Sequence, residues 1–150
     1  MYKLTIVFIF FLLTACSEEQ ASTTTSNTVS IENAWIREAP PNASAMAGYL
    51  TIHNKTSQDR TLTFAKSQTF KAIEFHRTII EDGMAKMRHQ NELLIPAGTS
   101  LVFKPGDFHL MMMGPKTALH KNDEVAITLG FKNAGVIEEI EITLPVKSPR

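Results

Sequence analysis

The sequence contains a single cysteine, Cys16, among its 150 residues. One cysteine cannot form an internal disulfide, and it cannot supply the thiolate cage that a structural zinc ion or an iron–sulfur cluster requires. The formal net charge is also zero, because 15 Lys and Arg residues balance 15 Asp and Glu residues. Non-specific nucleic-acid binding needs a broad basic surface, so we expect no nucleic-acid partner. An apolar core must therefore stabilise the fold, and 43% hydrophobic residues are typical of one globular domain.

Motifs of common enzyme classes are absent as well. The acidic residues form no recognisable pair for general acid–base catalysis, and the sequence has no G-x-S-x-G or similar nucleophile motif. We therefore expect that the protein is not an enzyme.

The N-terminal segment has the layout of a bacterial export signal. Lys3 precedes an apolar run over residues 4–13, which is shorter than the roughly 20 residues of a transmembrane helix. The run ends in Leu13-Thr14-Ala15-Cys16, which resembles the lipobox of bacterial lipoproteins, where the cysteine is lipidated and becomes the mature N-terminus. The alternative is an ordinary signal peptide with an incidental cysteine. We expect residues 1–15 to be removed as a lipoprotein signal peptide.

Attachment through Cys16 to the lipid membrane would place the protein on the periplasmic face of a bacterial membrane. Ser17, rather than Asp, follows the cysteine, and the sorting habit of this lipoprotein class then favours the outer membrane. Residues 16–30 are polar and rich in Ser and Thr, which is typical of a flexible tether. The folded domain is expected over residues 31–147.

Residues 31–147 are expected to form a single all-β domain, because short β-type runs alternate with turn residues and no convincing helix is present. Nine strands are predicted: Ile31–Ile36, Ala47–Asn54, Thr61–Ala65, Ala72–Thr78, Ala85–His89, Ser100–Phe103, His109–Met113, Glu124–Phe131 and Val136–Leu144. Lys132-Asn133-Ala134-Gly135 predicts a hairpin turn between the last two strands. The expected aromatic core consists of Trp35, Tyr49, Phe64, Phe75 and Phe103.

Methionine is concentrated in one part of the chain, where histidine is also found. Five of the seven methionines lie within residues 84–113. Taken alone, each of these methionines could equally well be a residue that fills a gap in an apolar core. On a strand, however, Met111 and Met113 face away from Met112, so the three cannot all enter one core. His109 shares the face of Met111, and such a His-x-Met pair can share a metal ion.

Imidazole and thioether are uncharged ligands, and the soft sulfur of methionine suits Cu(I) far better than Mg(II), Ca(II) or Mn(II). Outside the cytoplasm, thiols are drawn into disulfides, whereas methionine is not. A methionine-rich site therefore fits an exported protein. Because its ligands carry no charge, such a site should favour the monovalent ion and hold it in a manner that permits transfer.

His76, Met87, His109 and Met111 have the spacing His-x10-Met-x21-His-x-Met, which resembles that of the periplasmic copper chaperone family PCu(A)C. Similar flanking segments extend over residues 31–144: Ala34-Trp35-Ile36-Arg37, Gly48-Tyr49-Leu50-Thr51-Ile52, Asp82-Gly83, Lys86-Met87-Arg88, Ile95-Pro96-Ala97-Gly98 and Pro105-Gly106-Asp107-Phe108-His109-Leu110-Met111. The resemblance implies a cupredoxin-like Greek-key β-sandwich, in which those four residues bind one Cu(I) per chain.

The resemblance also implies a role in delivering copper for assembly of the cytochrome c oxidase copper centre. The partners would be the copper-site subunit of the oxidase and Sco-type proteins, and we expect the chain to act as a monomer. Two features differ from some relatives: Arg77 follows the first ligand where they have Met, and the sequence after Leu144 has no tail rich in His and Met. One copper site per chain is therefore expected.

Other functions are compatible with parts of this pattern. A metal-free adhesion or assembly lipoprotein can use the same sandwich, since a fold does not determine a function. A general periplasmic copper storage or homeostasis protein is a further alternative. A blue-copper electron carrier needs a cysteine ligand, and the only cysteine is Cys16 at the lipid anchor.

Two of the candidate metal ligands also have simpler interpretations. His76 could be an exposed histidine and Met87 a core residue. The remaining members of the histidine and methionine set are expected to have lesser roles: His53, His89 and His120 on the surface, Met84 and Met113 in packing or support of the site, and Met112 with Phe108 in an apolar collar around the metal.

Overall fold

The computed structural model describes residues 28–148, and every regular element in this range is a β-strand. The ten strands are β1 (Val29–Arg37), β2 (Ala45–Asn54), β3 (Arg60–Lys66), β4 (Phe70–Glu81), β5 (Met84–Gln90), β6 (Leu93–Ile95), β7 (Ser100–Phe103), β8 (Phe108–Pro115), β9 (Glu124–Asn133) and β10 (Val136–Lys147). The all-β prediction is confirmed. All nine predicted strands are present, whereas β6, with three residues, is too short to show the alternation that predicts a strand.

The described part of the chain contains no helix that is long and apolar enough to cross a membrane. The predicted signal peptide of residues 1–15, the lipidated Cys16 and the tether up to residue 27 lie outside the described residues.

Seven strands close into a ring in the order β4-β8-β2-β1-β10-β9-β3, and the pair Ala65–Ile73 joins β3 back to β4. The other three strands extend this ring, because β5 pairs with β4, β6 with β3 and β7 with β2. Neighbours are antiparallel except for β1 and β10, which are parallel at Ile36–Val146. The architecture is a closed, barrel-like sandwich, and its Greek-key, cupredoxin-like connectivity stays a prediction.

The core lies inside the ring, and β9 shows how the sequence fills it. Val125, Ile127, Leu129 and Phe131 alternate along β9 and are each at most 1% exposed. Alternation on a strand sends every second side chain to one face, so these four residues enter the interior together. Because fully burying an aliphatic or Phe side chain stabilises a fold by about 1.5–3 kcal/mol, these positions contribute strongly to stability.

Three of the five predicted core aromatics, Tyr49, Phe75 and Phe103, are buried. The prediction is wrong for Trp35 and Phe64, which are half-buried. Trp35 stacks on Tyr49, with ring centroids 4.7 Å apart, because Ile36 occupies the interior-facing position next to it. For Phe64, a register shift in β3 places the ring over Gly130, where an added Cβ would overlap it.

Two tight hairpins join neighbouring strands: β4 to β5, which carry predicted ligands, and β9 to β10, of which β9 fills the core. Asp82 and Gly83 connect β4 to β5 with φ values of 53° and 74°, and Ala134 and Gly135 connect β9 to β10 with 47° and 88°. Two central residues with positive φ define a type I′ turn, whose twist matches that of the flanking strands. The predicted hairpin turn before β10 is thus confirmed, and the β4–β5 turn sets the register of the strand that carries Met87.

Candidate metal centre

The four predicted ligands lie on three neighbouring strands, with Met87 on β5, His76 on β4, and His109 and Met111 on β8. His76 lies directly opposite His109 in the β4–β8 pair, and their ring centroids are 5.9 Å apart. Since a bond from a metal to an imidazole nitrogen is about 2 Å long, two imidazoles that share an ion have centroids roughly 5–6 Å apart. The structure brings these two histidines to the separation that a shared ion requires.

The two methionines lie on either side of this histidine pair. Met87 is opposite Thr78 in the β4–β5 pair, and Met111 is opposite Glu74 in the β4–β8 pair. Both Thr78 and Glu74 are two residues from His76 and therefore share its face of the sheet. Diagonal neighbours on one face lie about 7–8 Å apart, which long side chains can bridge. The backbone therefore places both thioethers within reach of His76.

Hydrogen bonds hold one nitrogen of each imidazole and leave the other available. His109 Nδ1 donates to the Asp107 carbonyl at 3.0 Å, which leaves Nε2 with its lone pair. His76 Nε2 lies 2.9 Å from Glu74 Oε2, whereas its Nδ1 is buried and has no hydrogen-bond partner within residues 28–148. Metal-ligating histidines commonly donate their second N–H to a carboxylate or carbonyl. The hydrogen bonds of both imidazoles are thus of the kind that metal-ligating histidines commonly make.

Exposure increases across the site from β8 to β5. His109 is 6% exposed, and Met111 and His76 are half-buried. Met87 is 62% exposed and is therefore not a core residue. The site is shielded on the β8 side and open to solvent on the β5 side.

Side chains on the face of the β4–β5 hairpin that points away from His76 support the orientation of Met87. Glu81 Oε2 accepts hydrogen bonds from Lys86 Nζ at 2.9 Å and from Arg88 Nη2 at 2.8 Å. Those hydrogen bonds lower the pKa of the Glu81 carboxyl. Because Lys86 and Arg88 flank Met87 in the strand and face away from His76, Met87 itself faces the site.

The collar that the sequence predicts around the metal is not formed. Met112 is fully buried in the core, because it alternates with His109 and Met111 along β8. Phe108 also lies on the face of β8 opposite His109, and the Arg77 guanidinium carbon is 4.8 Å from the centroid of its ring. The Arg77 side chain also donates to Asp107 Oδ1 at 2.9 Å, so the residue after the first predicted ligand is engaged away from the site.

Two further methionines differ in position. Met113 is half-buried and shares the face of Met111, so it can support the site. Met84 is 59% exposed on the reverse face of β5, and its predicted role in packing or support is wrong. His53 bonds Ser100 far from the site in the sheet, with a nitrogen-to-oxygen distance of 2.7 Å.

His89 is the residue that sequence reasoning placed on the surface without a role. It is exposed, as predicted, yet it lies directly opposite His76 in the β4–β5 pair, with ring centroids 5.6 Å apart. It therefore belongs to the face of the predicted ligands. The available signal was its spacing, because Met87-x-His89 on β5 mirrors His109-x-Met111 on β8.

The site is a cluster on a sheet face rather than an enclosed cavity. Within residues 28–148, no group of three His, Cys, Asp or Glu side chains is placed to hold a metal ion. A cavity of about 740 Å³ lies at the other end of β8, where residues 38–43, Met46 and residues 115–120 line it. None of the four predicted ligands contacts this cavity.

A family comparison establishes the wider relationship. Residues 29–146 match the family described as "Putative lipoprotein LpqE-like". The chain belongs to the LpqE-like family. The predicted resemblance to PCu(A)C proteins is confirmed at the level of the fold, because solved PCuAC domains have a similar structure to this LpqE-like chain.

Similar proteins are known for nearly the full length of this LpqE-like chain. The "Putative lipoprotein Lxx21020" of Leifsonia xyli subsp. xyli (strain CTCB07) is 26% identical over 149 residues, which cover 95% of this chain and 87% of the relative. The solution structure of CuI-DR1885 from Deinococcus radiodurans is 28% identical, with a TM-score of 0.64 over 89% of this chain and 87% of that one. The copper-bound PCuAC domain from PmoF2 has a TM-score of 0.67 at 21% identity, over 81% and 93% of the chains.

Proposed function

We propose that this LpqE-like protein is an extracytoplasmic copper(I) metallochaperone that binds one Cu(I) through His76, Met87, His109 and Met111. The observation that carries the proposal is the cross-strand pair His76–His109, in which each imidazole has one nitrogen held by the protein and one available. Two neutral imidazoles and two thioethers form a ligand set that prefers a soft monovalent ion. Copper is the cargo of this site, and no residue is assigned a catalytic role.

Copper in two similar structures supports this proposal. The Deinococcus radiodurans protein is described with CuI and the PmoF2 domain as copper-bound, and both share the fold of this chain. The His-x10-Met-x21-His-x-Met motif extends the argument to particular residues. A cupredoxin-like Greek-key connectivity belongs to the same proposal.

We further propose that the chain delivers its copper for assembly of the cytochrome c oxidase copper centre, as the PCu(A)C resemblance implies. The copper-site subunit and Sco-type proteins would be its partners, and the chain would act as a monomer. The exposed side of the site supports delivery, since an acceptor can reach Met87 without any opening of the sandwich.

A metal titration tests the copper proposal directly. Anaerobic titration of residues 28–148 with Cu(I), against a competing chelator, should saturate at one ion per chain because His76 provides a single available nitrogen. Zn(II) and Cu(II) should not compete, since thioethers are poor ligands for them. The double variant His76→Ala/His109→Ala is the control and should bind no Cu(I) tightly. Two tightly held ions in the unsubstituted protein, or none, would contradict the proposal.

The lipid anchor at Cys16 is proposed to hold the protein at the periplasmic face of the membrane. The LpqE-like family description and the name of the Leifsonia relative, both of lipoproteins, support it. We expect Cys16→Ser to move the protein from the membrane to the soluble fraction while Cu(I) binding is unchanged, because anchor and metal ligands occupy different parts of the chain.

Cell fractionation followed by Cu(I) titration measures both properties of the Cys16→Ser variant. Ser17→Ala, which keeps the cysteine, is the control and should stay with the membrane. A soluble unsubstituted protein would show that the lipobox interpretation is wrong. A Cys16→Ser variant that stays membrane-bound with its signal peptide would indicate an uncleaved anchor.

A further inference from the structure

We infer that His89 is a further copper ligand, through which Cu(I) leaves the site towards an acceptor. This inference rests on the proposed function, because it takes Cu(I) as the cargo. It divides the site into an inner flank on β8, formed by His109 and Met111, and an outer flank on β5, formed by Met87 and His89. His76 on β4 belongs to both flanks.

The first support is the row of three imidazoles across the sheet. His76 is directly opposite His109 on one side and directly opposite His89 on the other. The two centroid separations, 5.9 Å and 5.6 Å, both lie in the range of roughly 5–6 Å for imidazoles that share one ion. By this geometry, His89 can share a metal with His76 just as His109 can.

The second support is that each flank carries the same pair of donor types. On β8 the pair is His109-x-Met111, and on β5 it is Met87-x-His89. Residues two apart on a strand share a face, so both pairs face the same side as His76. An ion can therefore exchange an imidazole on one flank for an imidazole on the other and keep a soft ligand set.

The third support is that His76 can hold only one ion at a time. Its Nε2 is engaged with Glu74 Oε2 at 2.9 Å, which leaves Nδ1 as the single free nitrogen. Either His109 with Met111, or His89, therefore completes the binding of one copper ion by His76 and Met87, and two filled sites do not form. This agrees with the proposed stoichiometry of one Cu(I) per chain.

The fourth support is the difference in exposure between the flanks. His109 is 6% exposed and Met111 half-buried, whereas Met87 is 62% exposed and His89 is exposed. The outer edge of β5 also pairs with no other strand within residues 28–148. A copper ion that has exchanged His109 and Met111 for exposed His89 is thus easier for an acceptor to reach than one bound by all four proposed ligands.

The transfer step is a ligand exchange at constant oxidation state. The bonds from copper to Met111 sulfur and His109 Nε2 break, and a bond to a ring nitrogen of neutral His89 forms. His76 and Met87 stay bound throughout. Copper remains Cu(I), and neither a proton nor an electron is transferred.

The test compares the full chain with its His89→Asn variant, both loaded anaerobically with one equivalent of Cu(I). Imidazole NMR resonances report which histidines sense the copper, and stopped-flow absorbance gives the rate of Cu(I) transfer to a soluble chelator. We expect the His89 resonances to shift on loading and transfer from His89→Asn to be slower by about tenfold, with a much smaller change in equilibrium affinity. His120→Asn, which changes an exposed histidine away from the site, should transfer at the unsubstituted rate.

The inference requires both results, the shift of His89 and the slower transfer. Faster transfer from His89→Asn would overturn it, because that is the effect of losing a ligand that only adds affinity. An unchanged rate, or His89 resonances that do not move while those of His76 and His109 do, would also overturn it and leave the proposed function standing. Failure of the unsubstituted chain to bind Cu(I) would overturn the proposed function and this inference together.

Discussion

Met87→Ala and Met111→Ala should each weaken Cu(I) binding by about 100-fold or more, which exceeds the effect of changing residues that merely support a metal ligand. Each substitution removes one of two thioethers from the proposed site, and the remaining imidazoles have less preference for the soft monovalent ion. Anaerobic competition against a Cu(I) chelator measures the change in affinity. Met84→Ala is the matched control for Met87, since Met84 lies on the same strand and is similarly exposed, at 59% against 62%, but faces away from the site.

Oxidation by peroxide gives an independent readout of the same ligand assignment. A sulfoxide is polar and a poor soft ligand, so bound copper should protect the sulfurs that coordinate it. We expect Met87 and Met111 to oxidise more slowly in the copper-loaded protein, while Met84 oxidises equally with and without copper. Equal oxidation of Met87 and Met111 in both forms, together with unchanged affinity in both alanine variants, would refute the ligand set. The fold would be unaffected by that outcome.

Met112→Ala should lower the free energy of unfolding by about 2–5 kcal/mol and leave the Cu(I) affinity nearly unchanged. Met112 is fully buried, and its Sδ packs against Gly48, where an added Cβ would lie only 3.0 Å away. Truncation therefore leaves a cavity in a part of the core with little room to relax. Denaturant unfolding of the copper-free protein measures the change in free energy.

Met111→Ala is the control that shows whether the loss of stability in Met112→Ala comes from the burial of Met112. Met111 is the neighbour of Met112 on β8 but is half-buried on the opposite face. Its truncation should cost clearly less folding free energy than that of Met112, because less apolar surface loses contact. If Met112→Ala instead weakened copper binding and left stability unchanged, the assignment of faces on β8 would be wrong.

The strands were largely predictable because the period of a β-strand is a local property. Alternation such as Val125, Ile127, Leu129 and Phe131 is visible in the sequence, and these residues are buried together in the structure. The wrong prediction for Phe64 has a non-local cause. Phe64 leaves the core because a register shift against β9 turns it outward, and that shift depends on a partner strand far away in sequence.

The donor chemistry of the site was likewise a property of the sequence. The types and spacing of His76, Met87, His109 and Met111 predict a soft metal site, and the shared face of His109 and Met111 follows from the geometry of one strand. The burial of Met112 follows from the same alternation, although the sequence left it open which face of β8 is the interior one.

Only the tertiary structure decided which side chains on different strands lie together. The registers of β4 with β8 and of β4 with β5 place His76 between His109 and His89, and no local pattern determines a register between separate strands. The same pairing leaves β5 at an open edge and β8 inside the ring, so one flank of the site is exposed and the other is shielded. The sequence by itself therefore determined the kind of ligand, whereas long-range strand pairing decided where the ligands meet and from which side they can be reached.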